Sequence, residues 1–143
     1  MRVAVGVYTS VGSEVVMIDR DLNLSGGWDG SFTSQTGLST IDGELLRRGV
    51  VVTGSDTLAS LTRFDIKDGD AGGSGGGGIF AEGDLTLNAS TVRGNLANNG
   101  AGIYFHGGGQ LSISESTVRD NVAFSAGGGV YTSGQNGVIS AST

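Results

Sequence analysis

The residues best equipped for chemistry are three carboxylates close together, Asp65, Asp68 and Asp70, in the stretch DIKDGDAGGSGGGG. Side-chain oxygens this near one another, running into a glycine loop, can serve Ca²⁺, a hard cation that takes about six to eight oxygen ligands. Their spacing follows neither the EF-hand loop nor the nonapeptide calcium repeat, and a solvated acidic loop has the same composition. Arg63 and Lys67 are the nearest bases in sequence. A second group is an outward array, in which Thr91 and Arg93 recur as Thr117 and Arg119 on either side of Val92 and Val118. Repeated along an axis, such a face can meet an ordered polymer or an ice surface; a Thr-rich solvated strand face looks the same.

Other chemical readings fail on the residues themselves. The run Gly72 to Gly78 offers backbone amides, but no Lys-Ser/Thr and no helix start follows to make a phosphate cradle. Ser90 and Ser116 have no base beside them in sequence, so a serine nucleophile lacks support. His106 stands alone in a variable loop and reads as solvent-exposed. Trp28, after Gly26-Gly27, reads as packing for the first part of the chain.

These side chains need a scaffold, and composition limits what it is. The chain has 143 residues, 28 of them Gly, with no Pro and no Cys. Gly does not recur every third residue, so collagen is excluded. Leu, Ile, Val and Phe make up about 26% of the chain, above the roughly 20% of disordered sequence, so the glycines punctuate a fold. The net charge of −6, with only eight Lys and Arg, argues against a nucleic-acid partner. No apolar run approaches the roughly 18 residues of a membrane span, and Met1 to Tyr8 alternates like a strand rather than forming a signal peptide.

Self-comparison supplies the architecture. Leu85 to Ala97 reads LTLNASTVRGNLA and Leu111 to Ala123 reads LSISESTVRDNVA, at an offset of 26. One period earlier Leu61 and Ile66 fall on Leu87 and Val92; one period later Ile139 falls on Ile113. A further strand accompanies each copy: Gly78-Ile79-Phe80, Gly102-Ile103-Tyr104 and Gly129-Val130-Tyr131. Apolar residues alternate with the two-residue period of a strand, and no stretch keeps a helical stripe; Ile41 to Arg48 comes nearest and is too short. One such unit cannot bury its inner face alone, but stacked units can. Leu61, Leu87, Ile113 and Ile139 then form one internal column, and Ile66, Val92 and Val118 another. Asn95 and Asn121 share a place just after the Ser-Thr-Val strand, where an amide ladder along the axis and αL geometry at the bend are expected. Leu22 and Leu24 are expected beneath Val50 and Val52.

The pattern GGGIY, LxI, STVxxNxA resembles the right-handed parallel β-helix repeat of pectin-lyase-like proteins and of polymorphic outer-membrane and adhesin-like bacterial surface proteins. The resemblance is closest over residues 59–143 and looser over 1–58. It implies an all-β, right-handed parallel β-helix (β-solenoid) of about 26 residues per coil, forming one domain over 1–143. The chain is expected to be a fragment of a longer one, because it ends in mid-repeat.

The resemblance also implies an extracellular or cell-surface location and two kinds of role. One is a non-catalytic stalk or adhesin-like contact surface, with a carbohydrate or another cell-surface protein as partner. The other is a fragment of a polysaccharide-active enzyme, in which Asp65, Asp68 and Asp70 would hold the Ca²⁺ of a pectate-lyase-like elimination. A glycan- or ice-binding face at Thr91, Arg93, Thr117 and Arg119 is the third reading. Nucleic-acid binding and membrane insertion are not expected, and Ca²⁺ is the one cofactor candidate.

Overall fold

The computed structural model describes residues 1–133, 137–140, 142 and 143, with the side chain of Ile139 outside the description. The described residues form short strands and no helix. In chain order these are β1 (Arg2–Ala4), β2 (Val7–Tyr8), β3 (Glu14–Ile18), β4 (Leu22–Trp28), β5 (Ser39–Asp42) and β6 (Arg48–Val52). Next come β7 (Leu58–Thr62), β8 (Phe64–Lys67), β9 (Ile79–Ala81), β10 (Asp84–Asn88), β11 (Thr91–Arg93) and β12 (Leu96–Asn99). The last are β13 (Ile103–Phe105), β14 (Leu111–Ser114), β15 (Thr117–Arg119), β16 (Val122–Ala126), β17 (Val130–Thr132) and β18 (Gly137–Ser140).

The chain visits three parallel sheets in rotation, giving a β-solenoid of about five turns. Sheet 1 is β1-β4-β7-β10-β14-β18, sheet 2 is β2-β5-β8-β11-β15 and sheet 3 is β3-β6-β9-β13-β17. A short pair, β12-β16, sits between sheets 2 and 3 in the later coils. Residues 1–58 feed the same three sheets as the regular repeats.

The turns between sheets come from backbone geometry at fixed places in the repeat. Between sheets 1 and 2, Arg63, Ala89 and Glu115 take φ of 62°, 47° and 50°. After sheet 2, Asp68, Gly94 and Asp120 take 50°, 64° and 56°. Before sheet 3, Gly76, Gly100 and Gly127 take 73°, 53° and 65°. These left-handed residues turn the chain without breaking the stack. At the second corner this corrects the sequence expectation: the left-handed residue is the one before Asn95 or Asn121. The Asn itself turns inward, where its amide reaches the neighbouring coils.

Alternation fills the interior. Leu61 pairs with Leu87 and Leu87 with Ile113, all at most 1% exposed. Ile66 and Val92 are fully buried, with Val118 half-buried above them. Ile139 pairs with Ile113 through its backbone, and its side chain lies outside the described residues. Leu22 and Leu24 do not lie beneath Val50 and Val52. They belong to sheet 1, against Ala59 and Leu61, whereas Val50 and Val52 belong to sheet 3, against Ile79 and Ala81. Every inward strand carries the same alternation, so the pattern cannot say which sheet a strand joins. The Ile41 to Arg48 stretch is a strand end followed by a tight turn, with Glu44 and Leu45 both at φ 57°.

Candidate functional site

Sheet 2 carries most of the residues singled out in the sequence. Register places Thr40, Asp65, Thr91 and Thr117 in one outward column and Asp42, Lys67, Arg93 and Arg119 in the next. Two of the ion pairs on this face cross from coil to coil. The Arg93 guanidinium grips Asp65 through Nε at 2.9 Å and a terminal nitrogen at 2.8 Å. Lys67 Nζ lies 2.6 Å from both Asp42 and Asp68. Burial disfavours the charged form of Asp42, but the Lys67 ammonium and the Glu44 amide outweigh it and hold its pKa below the usual carboxylate value. Donating to Asp42 and Asp68 raises the Lys67 pKa, and donating to Asp65 raises that of Arg93. Arg119 pairs with Asp120 beside it.

The three carboxylates at 65, 68 and 70 therefore have separate employments. Asp65 faces Arg93, Asp68 is a corner residue bonded to Lys67, and Asp70 accepts the Gly72 amide at 2.7 Å to close a turn. Among the described residues, no group of three or more His, Cys, Asp or Glu is placed to hold a metal ion. Thr91 and Thr117 are half-buried within the sheet 2 face.

Two ladders tie the coils from within. Asn95 Oδ1 accepts the Gly69 amide at 2.8 Å, while Asn121 Oδ1 accepts both the amide and the side-chain nitrogen of Asn95, at 3.0 and 2.8 Å. The side-chain nitrogens also donate to Ile66 and Val92 carbonyls. At the other corner Ser90 Oγ accepts the Phe64 amide, Ser116 Oγ accepts that of Ser90, and Ser142 Oγ accepts that of Ser116. Each of these hydroxyls donates within its own coil, so none is free as a nucleophile.

Sheet 3 holds a feature that sequence reasoning missed. Ile79 and Ile103 point inward, so the intervening Phe80 and Tyr104 point out, in register with Tyr131. Phe80 and Tyr104 stack at 5.6 Å between centroids with planes 5° apart; Tyr104 and Tyr131 stack at 5.3 Å and 14°. The Arg48 guanidinium lies over Phe80 at 5.6 Å, its Nε donating to the Gly75 carbonyl. A Cβ at Gly75 would run into the Tyr104 ring, so this glycine is needed for close approach rather than for phosphate. His106 is exposed, as expected, but its ring leans on Tyr104 at 5.9 Å and Phe80 at 6.4 Å, with Nδ1 2.9 Å from the Ser133 hydroxyl. Arg48, Phe80, Glu82, Asn99, Tyr104 and His106 border an open depression of about 410 Å³. The sequence signal was present: an aromatic residue at the third place of Gly78-Ile79-Phe80, Gly102-Ile103-Tyr104 and Gly129-Val130-Tyr131, in a chain only 6% aromatic.

Trp28 packs the first coils, with the Arg2 guanidinium 4.1 Å from its ring and Nε1 donating to Ser25. Comparison with protein-family models, curated proteins and solved structures gives no match for this chain.

Proposed function

We propose that the chain is a rigid, non-catalytic β-solenoid segment of a secreted or surface-displayed bacterial protein, working as a stalk or adhesin-like contact surface. The observation that supports it is how the reactive side chains are used. The Asp42–Lys67 and Asp65–Arg93 pairs, the asparagine amides and the serine oxygens at the corners all engage neighbouring coils, which stiffens the axis. The repeat's resemblance to surface-displayed β-helices supports the location. A carbohydrate or another surface protein is the partner class that such a face meets.

The test is direct. Purified chain is incubated with polygalacturonate and with alginate, with and without millimolar Ca²⁺, and unsaturated products and new reducing ends are followed. Neither is expected to form. Appearance of either, lost in an Asp65→Asn/Asp68→Asn variant, would replace the stalk reading with the polysaccharide-lyase one.

A further inference from the structure

We propose that the depression on sheet 3 is a binding site for an uncharged linear glycan lying along the solenoid axis, about one sugar to each coil. This deepens the contact-surface reading and rests on it. The first support is shape and lining. At about 410 Å³ the depression lies in the usual range of small-molecule sites, and it joins an aromatic ledge to polar side chains. Sugars need both, since their C–H faces pack on apolar surface and their hydroxyls pair with planar polar groups. Phe80, Tyr104 and Tyr131 use their faces on one another, leaving ring edges and the Tyr hydroxyls toward solvent. Beside them runs a second column in which Glu82, His106 and Ser133 follow one another, each amide donating to the coil before.

The second support is repeat distance. Equivalent rings recur once per coil, at the strand spacing of about 4.8 Å and with centroids 5.6 and 5.3 Å apart, close to the length of one pyranose in an extended chain. An axial ligand thus meets one ring of the ledge at each of three successive sugars.

The third is charge. Arg48 and Glu82 stand on the same depression with opposite sign, and both are already engaged, Arg48 with Gly75 and Phe80, Glu82 with the Gly54 amide at 3.1 Å. A polyanion meets Glu82 and the chain's net charge of −6, and a polycation meets Arg48. An uncharged polymer meets neither penalty. The stacked rings are fixed before the ligand arrives, so little ordering entropy is left to pay on binding.

Cellohexaose, xylohexaose and mannohexaose are titrated into the purified chain by calorimetry and by NMR of the Tyr104 and His106 rings, with hexagalacturonate as the charged comparator. At least one neutral hexamer is expected to bind and to shift both rings. Tyr104→Ala should weaken it about tenfold, roughly the worth of one aromatic contact. Because losing Tyr104 also loosens the ladder, Glu82→Gln, which keeps an acceptor for Gly54, and His106→Ala serve as variants outside the stack; each should weaken binding several-fold. No binding of any neutral hexamer up to about 10 mM overturns the proposal, as does tighter binding of hexagalacturonate or binding indifferent to all three variants. Cleavage of a bound hexamer would instead overturn the non-catalytic reading and leave the site standing.

Discussion

Asn95 holds together three coils' worth of backbone from a fully buried position, accepting from Gly69 and donating to Ile66 and Asn121. Asn95→Ala leaves the buried Gly69 amide without its partner, and the expected loss is about 1 to 3 kcal/mol in a denaturant titration. Asn95→Asp should cost more, because a carboxylate there faces the Asn121 oxygen and the Ile66 carbonyl. The ladder stops at Gly69 for a steric reason: a Cβ at that position would collide with the Gly77 carbonyl. Gly69→Asn, which extends the sequence pattern by one coil, is therefore expected to lower the melting temperature. The Asn column was legible in the sequence from its offset of 26. Which residue takes the left-handed turn was not, since Gly94 and Asp120 share only a tolerance of positive φ and no chemistry.

At the scale of the element, sheet 2 is held by its cross-coil ion pairs as well as by Val92 and Ile66. The Asp65–Arg93 contact is two-pronged and partly buried, so a double-mutant cycle with Asp65→Asn and Arg93→Met should give a coupling of about 1 kcal/mol, falling with salt. The Asp42–Lys67 pair adds pH dependence. Asp42 has a lowered folded-state pKa, so its contribution is in place above the ordinary aspartate value of about 3.9 and is lost as pH falls through the lowered one. Lys67 is raised, so its contribution is in place below about 10.4 and is lost as pH rises through the raised value. The gap in denaturation midpoint between the native chain and Asp42→Asn should be steady near neutrality and close as pH falls from about 4 to 2.

Sheets 1 and 2 of the regular coils were readable because loops between their strands keep constant length, so Leu85 to Arg93 repeats without drift. In the first coils the loops lengthen, and Leu24 reaches Leu61 past two other strands; periodicity carries no information there. The depression on sheet 3 was hidden for a related reason. Phe80, Tyr104 and His106 lie on strands or just after them, but Arg48 and Asn99 arrive from different coils, and only the fold makes them neighbours.

For the whole molecule, stability is the sum of coils and of the contacts between successive coils. Leu87→Ala, in the middle of the Leu61–Leu87–Ile113 column, should cost about 2 to 5 kcal/mol by opening a cavity that reaches both neighbours. Conversely, a second copy of residues 85–110 inserted after Gln110 restores every pairing on both sides. It should raise the denaturation midpoint, and raise the slope of the unfolding curve by about a fifth.

Ser60, Thr86 and Ser112 stand directly opposite one another on successive strands of sheet 1, and the chain has no cysteine of its own. The molecule is thus graduated like a ruler, with a mark at every strand spacing of about 4.8 Å. Cysteines introduced two at a time at these marks would carry probes whose separation is set by counting coils. Such a series would calibrate distance measurements in the short range where flexible linkers blur them.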